Sequence, residues 1–227
     1  MHVERWLLSG GMRSQVRWPL LWAFVGLVIY VGAVFGGSIL QDLLSLPLQM
    51  GWGQQITGAL MALTIASVLG DTRGLIGFQP MPSGWWKASM TAGLSIAITG
   101  TIASYFLPPD STPLNAEYFA YEATLPGIGE EFGMRGLWLG LLVIGVSHWQ
   151  RVKIPTWLLL VFAAVPFAFL HILHFTGMSA MIVFSVTLYA GTILGWARFK
   201  TGSIWPAVIA HNIANVCMGL YDLIQHS

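Results

Sequence analysis

From Pro19 onward the chain is a succession of long apolar runs, and all its basic residues but one fall in every second gap between them. The runs cover about 19–36, 54–69, 88–107, 124–147, 155–175, 178–196 and 204–223. Several are near the length of about 17–25 residues that crosses a hydrocarbon core as an α-helix. If the N-terminus is cytoplasmic, the inner segments hold Arg5, Arg13, Arg17, Arg73, Lys87, Arg151, Lys153, Arg198 and Lys200, and the outer segments hold no basic residue. The tenth, Arg135, lies inside the fourth run. That bias predicts seven spans with the N-terminus inside and the C-terminus outside. The expected fold is an all-α, polytopic transmembrane bundle forming a single integral membrane domain over residues 1–227.

Composition agrees. The chain is 56% hydrophobic and 8% charged, against about 25% charged in a soluble domain. A net charge of +1 gives no footprint for nucleic acid. No small-residue cleavage site follows the first run, so it reads as a retained span behind an interfacial lead-in, 1–18. The single cysteine, Cys217, sits in an apolar run and reads as a small buried residue. The segment from Pro108 to Pro113 breaks helix, and Glu117 and Glu122 follow it in an acidic, aromatic stretch.

Three polar constellations interrupt the apolar pattern, and ionisable groups in such runs usually face the bundle interior and carry function. The fourth run opens with Glu130, Glu131 and Arg135. Residues four apart share a helix face, so Glu131 pairs with Arg135, while Glu130 is turned by about 100° and points elsewhere. Thr124 suits an N-cap and Pro126 a first turn, which sets Glu130 near the outer membrane edge. The fifth run carries Phe167, His171 and His174, and the seventh carries His211 and Asn215 on one face with Asn212 off it. Glycines at 129, 133, 136 and 140 permit a neighbouring helix to approach the fourth run closely.

A carboxylate, imidazoles and amide donors on three helices are the parts of a hydrolytic site. Glu-Glu-x-x-x-Arg, Phe-x-x-x-His and His-x-x-x-Asn, in that order, resemble the three motifs of the CPBP (or Abi) family of CAAX-protease and bacteriocin-processing membrane proteins. The resemblance covers about residues 124–223. It implies glutamate-dependent intramembrane proteolysis. Glu130 with His171 would activate a water, His211 and Asn215 would stabilise the oxyanion, and Glu131, Arg135 and Phe167 would support the site. It favours catalysis without a metal, with a zinc site of the two-histidine, one-glutamate type as the alternative. The expected partners are the lipid bilayer and a membrane-anchored or lipidated protein cleaved near its C-terminus. Chain size and charge bias suit a multi-pass protein of a bacterial inner membrane. A non-catalytic scaffold or immunity-type protein is the competing reading, and a proton-coupled transporter a more distant one.

Overall fold

Every residue from Glu131 to Gly145 is buried, so the fourth apolar run is the axis of the bundle rather than a lipid-facing rod. A helix apolar on all sides requires protein on all sides. The structure is a computed structural model that describes residues 16–108, 112–148 and 154–226. Arg5, Arg13, Arg151 and Lys153, four of the basic residues in the topology argument, lie outside the described residues, as do residues 109–111 of the helix-breaking segment.

All regular structure among the described residues is helical: α1 (Pro19–Leu43), α2 (Trp52–Val68), α3 (Trp85–Ser104), α4 (Ala116–Glu122), α5 (Leu125–Glu131), α6 (Leu139–His148), α7 (Thr156–His171), α8 (Gly177–Thr201) and α9 (Trp205–His226). A π-helical stretch, Phe132–Trp138, joins α5 to α6 without leaving helical backbone. Such wide turns recur at functional sites. Around this axis α1 packs on α2, α7 on α8, and α9 on α3.

The surface is that of a bundle in lipid. On α3, Ala88, Ser89, Ala92, Gly93 and Ala97 are buried, while Leu94, Ile98 and Ile102 are exposed. On α1, Leu21, Phe24, Val28, Phe35 and Ile39 form an exposed stripe at helical spacing. Small residues inside and large apolar ones outside is the arrangement expected where helices associate in lipid.

Fewer helices than the seven expected spans meet the length and composition of a membrane crossing. Among the described residues, three helices are suited by length and composition to cross a membrane: α1, α8 and residues 205–225 of α9. The helix α7 is apolar but has 16 residues, and α2 has 17. Serine, threonine and glycine dilute α3, and the π-helical stretch divides the fourth run. The remaining expected runs thus fold as helices of the same bundle.

Two local expectations change. Arg198, counted among the loop charges, is 1% exposed. Its guanidinium donates to the Gly202 carbonyl at 2.7 Å and reaches that of Gly74 at 3.5 Å. The Ile204 N–H donates to the Gly77 carbonyl at 2.9 Å, and the Ser203 hydroxyl to that of Gln79 at 2.7 Å. Arg198 therefore ties two turns together instead of facing an interface. Gly77 permits this by its φ of +89°, since a side chain there would be strained and would meet the Arg198 guanidinium.

The second change concerns depth. The Tyr30 hydroxyl donates to the Gly129 carbonyl at 3.0 Å, so Glu130 lies level with the twelfth residue of α1. At 1.5 Å per residue that is about 17 Å along a helix about 37 Å long. Glu130 therefore lies near mid-height of the bundle, not at its outer edge. Non-local contacts explain this. The Thr124 side chain does not cap α5; it bonds back to the Ala120 carbonyl at 2.6 Å. Asn212 of α9 caps instead, accepting from the Gly127 N–H at 2.9 Å and donating to the Thr124 carbonyl at 3.2 Å. One of the free N–H groups of the α5 first turn is thus satisfied by a distant helix rather than by the local threonine.

Candidate active site

The local pairing predicted for the fourth run is present. Arg135 and Glu131 stand 2.9 Å apart, and the Glu131 side chain is fully buried. Glu131 has a second partner that helix periodicity does not reveal: the same oxygen, Oε1, lies 2.9 Å from His211 Nδ1. An ionised carboxylate only accepts, so Nδ1 carries the hydrogen. The other imidazole nitrogen, Nε2, faces Glu130 Oε2 at 3.7 Å. One histidine on α9 is thus held between two adjacent carboxylates, oriented by one and turned toward the other.

Glu130 differs from its neighbour in exposure, 21% against 0% for the two side chains. Its Oε1 accepts from Gln55 Nε2 on α2 at 2.9 Å. Gln55 is itself buried. One oxygen of Glu130 is therefore clamped, and the other addresses His211. The clamp depends on close approach of two helices: a Cβ on Gly129 would lie 2.8 Å from the Gln55 carbonyl oxygen and 2.9 Å from its Cα. Gly133 stands against the Tyr30 ring, and Gly136 and Gly140 stand against Ile76 and Leu75. The four glycines thus serve close packing, against three different segments.

Phe167 ties the remaining motif residues to this centre. Arg135 sits over its ring at 4.1 Å, a cation–π contact in a buried setting. The ring meets His211 edge-on at 6.3 Å and lies 4.3 Å from the His171 ring. His171 Nδ1 donates to the Phe167 carbonyl at 2.8 Å. A carbonyl only accepts, so the hydrogen is on Nδ1, and in the neutral ring Nε2 keeps its lone pair. Its link to Glu130 runs through Phe167 and His211, not through a direct hydrogen bond. His174, outside α7 and exposed, takes no part.

Asn215 lies one turn beyond His211 on α9 and donates from Nδ2 to Glu122 Oε2 at 2.6 Å. Glu122, at the end of α4, is thus a third carboxylate beside the site, and it lies outside the candidate spans. Burial pushes its pKa up to about 6; the Asn215 bond and His211 oppose that rise, and Glu130 adds to it. Sequence reasoning missed Glu122, Gln55 and the capping role of Asn212. The sequence signals were an amide pair, Gln54-Gln55, opening an otherwise apolar run, and an acid eight residues before Glu130. Neither signal names its partner. Among the described residues, no three His, Cys, Asp or Glu side chains stand together as a metal site.

Residues 113–217 match the family model described as type II CAAX prenyl endopeptidase Rce1-like. The match contains Glu122, Glu130, Glu131, Arg135, Phe167, His171, His211 and Asn215, and leaves Tyr30 and Gln55 outside. The resemblance read from the three motifs is therefore borne out over the part of the chain that carries them. It implies a membrane endopeptidase of the CAAX-protease type, a hydrolase. No curated protein and no solved structure matches the chain.

Proposed function

Taking the Rce1-like match as the premise, we propose that the chain is an intramembrane glutamate-dependent endopeptidase that cleaves membrane-anchored or lipidated proteins near their C-terminus. The observation that carries this reading is the Glu130–His211 pair. Glu130 has one oxygen held by Gln55 and the other 3.7 Å from an imidazole whose orientation Glu131 sets.

In this reading Glu130 is the general base. It takes a proton from a water as the water oxygen attacks the scissile carbonyl carbon, and His171, with Nε2 able to accept, assists. The carbonyl oxygen becomes the oxyanion. It is met by Asn215 and by His211, which donates from Nε2 when protonated. Collapse of the tetrahedral intermediate breaks the C–N bond, and the proton on Glu130 passes to the leaving amine. Arg135 and Phe167 keep Glu131 and His211 in place. No metal takes part in these steps, so full activity is expected after treatment with a strong chelator. The chain crosses the membrane about seven times with its N-terminus in the cytoplasm, as a multi-pass protein of a bacterial inner membrane; reporter fusions at each loop test that topology.

The decisive experiment compares membrane proteins from cells carrying the wild type or Glu130→Ala, using mass spectrometry of C-termini. Substrates shortened only in wild-type cells are expected. Identical C-termini in both, with both proteins folded in the membrane, would favour a non-catalytic scaffold.

A further inference from the structure

Three of the four groups that the proposed reaction uses have an evident orienting partner. Glu130 is held by Gln55, His211 by Glu131 and His171 by the Phe167 carbonyl. The fourth, Asn215, is the one that most needs one. An amide has two faces of opposite polarity, and only the NH2 face stabilises an oxyanion. Rotated by half a turn, the same side chain presents its carbonyl oxygen and repels the charge it should meet.

We propose that Glu122 is the positioning residue that sets the Asn215 amide. The contact is direct, from Asn215 Nδ2 to Glu122 Oε2 at 2.6 Å. A carboxylate accepts and does not donate, so it selects the NH2 face. One hydrogen of Nδ2 is used by Glu122. The second, at about 120° to the first in a planar amide, remains for the substrate oxygen. A bond to an ionised acceptor is also stronger than one between neutral groups, which suits holding a side chain against rotation.

The carboxylate is itself held. Its helix α4 is capped by Asn115, whose Oδ1 accepts from the Tyr118 N–H at 3.0 Å. Glu117 Oε1 accepts from the Gln49 and Met50 N–H groups at 2.8 and 3.0 Å and from Trp52 Nε1 at 3.1 Å. Tyr121 packs edge-on against Trp52 at 5.6 Å. The short helix is thus tied to the α1–α2 connection at one end and to α9 at the other, and Glu122 has a fixed base from which to hold Asn215.

This inference rests on the proposed endopeptidase reading, and the test separates the two. Cleavage of a substrate identified by the C-terminal comparison is measured with purified wild type and with Glu130→Gln, Asn215→Ala, Glu122→Ala, Glu122→Gln and the Glu122→Ala/Asn215→Ala double variant. Removing one oxyanion donor lowers kcat about 100–1,000-fold, and loss of its positioner is expected to lower kcat about 10–100-fold with KM nearly unchanged. In the Asn215→Ala background, Glu122→Ala should lower kcat by less than about twofold, because there is no amide left to hold. Glu122→Gln keeps an acceptor oxygen and should restore most of the rate. Retained cleavage by Glu130→Gln overturns the endopeptidase reading itself. If Glu130→Gln is inactive, either wild-type kcat in Glu122→Ala or additive losses in the double variant overturn the positioning role alone. Helical circular dichroism in detergent confirms that each variant compared is folded.

Discussion

Replacing Glu131 and Glu130 one at a time with glutamine should produce opposite phenotypes from adjacent, isosteric changes. Glu131 is fully buried, and its Oε1 meets both Arg135 and His211 at 2.9 Å. Glu131→Gln leaves the Arg135 cation inside the bundle without its carboxylate, faced by a neutral amide and by the Phe167 ring at 4.1 Å. Removing one partner of a buried ion pair costs about 3–5 kcal/mol. At about 2–4 °C per kcal/mol for a chain of this size, the midpoint should fall by about 6–20 °C. Glu130 is part-exposed, and its replacement keeps a carbonyl oxygen that accepts from Gln55. That change should cost about 1 kcal/mol or less, a shift of no more than about 4 °C, while abolishing cleavage. The assay is a thermal scan in detergent followed by intrinsic fluorescence, for which 11 tryptophans supply the signal. Pairing Glu131→Gln with Arg135→Met should recover most of the lost stability, since both buried charges then leave together. Equal midpoints for the two single variants, or a larger fall for Glu130→Gln, would refute the division of labour drawn here.

Further predictions address the packing and the third carboxylate. Gly129→Ala brings a methyl to 2.8–2.9 Å from the Gln55 backbone, which cannot step aside; overpacking of about 1–3 kcal/mol should lower the thermal midpoint, whereas Gly32→Ala on α1, with open space around it, should not. Gln55→Leu removes a bond to a carboxylate worth about 1.5–3 kcal/mol, so kcat should fall about 10–100-fold with little change in KM; an unaffected kcat would remove Gln55 from the site. The Glu122 pKa rises from 4.5 to about 6 on folding. The folded state therefore binds the proton more tightly, and the associated stability is present below the lower value and is lost as pH rises through about 6. At about 1.4 kcal/mol per unit the loss is about 2 kcal/mol. Thermal midpoints between pH 4.5 and 7 should show it in wild type and not in Glu122→Gln; identical profiles would argue against a buried, titrating Glu122.

What the sequence determined about this protein was whatever depends on residues close along the chain. Helices follow from long apolar runs without competing turn signals, and the pairing of Glu131 with Arg135 follows from a spacing of four. The different directions taken by two adjacent glutamates follow from their angular offset on one helix. The tertiary structure alone decided the depth of Glu130, because its level is set by Tyr30 and by the cap that Asn212 provides across 85 residues. It also decided that the fourth run is the buried axis, since an apolar helix reads the same whether lipid or protein surrounds it. Gln55 and Glu122 reach the site from an apolar run and an acidic loop stretch whose local patterns carry no trace of a partner 75 or 93 residues away. Periodicity records which way a side chain leaves its own helix. Which group waits there is settled by packing between helices, and that information is spread over the whole chain.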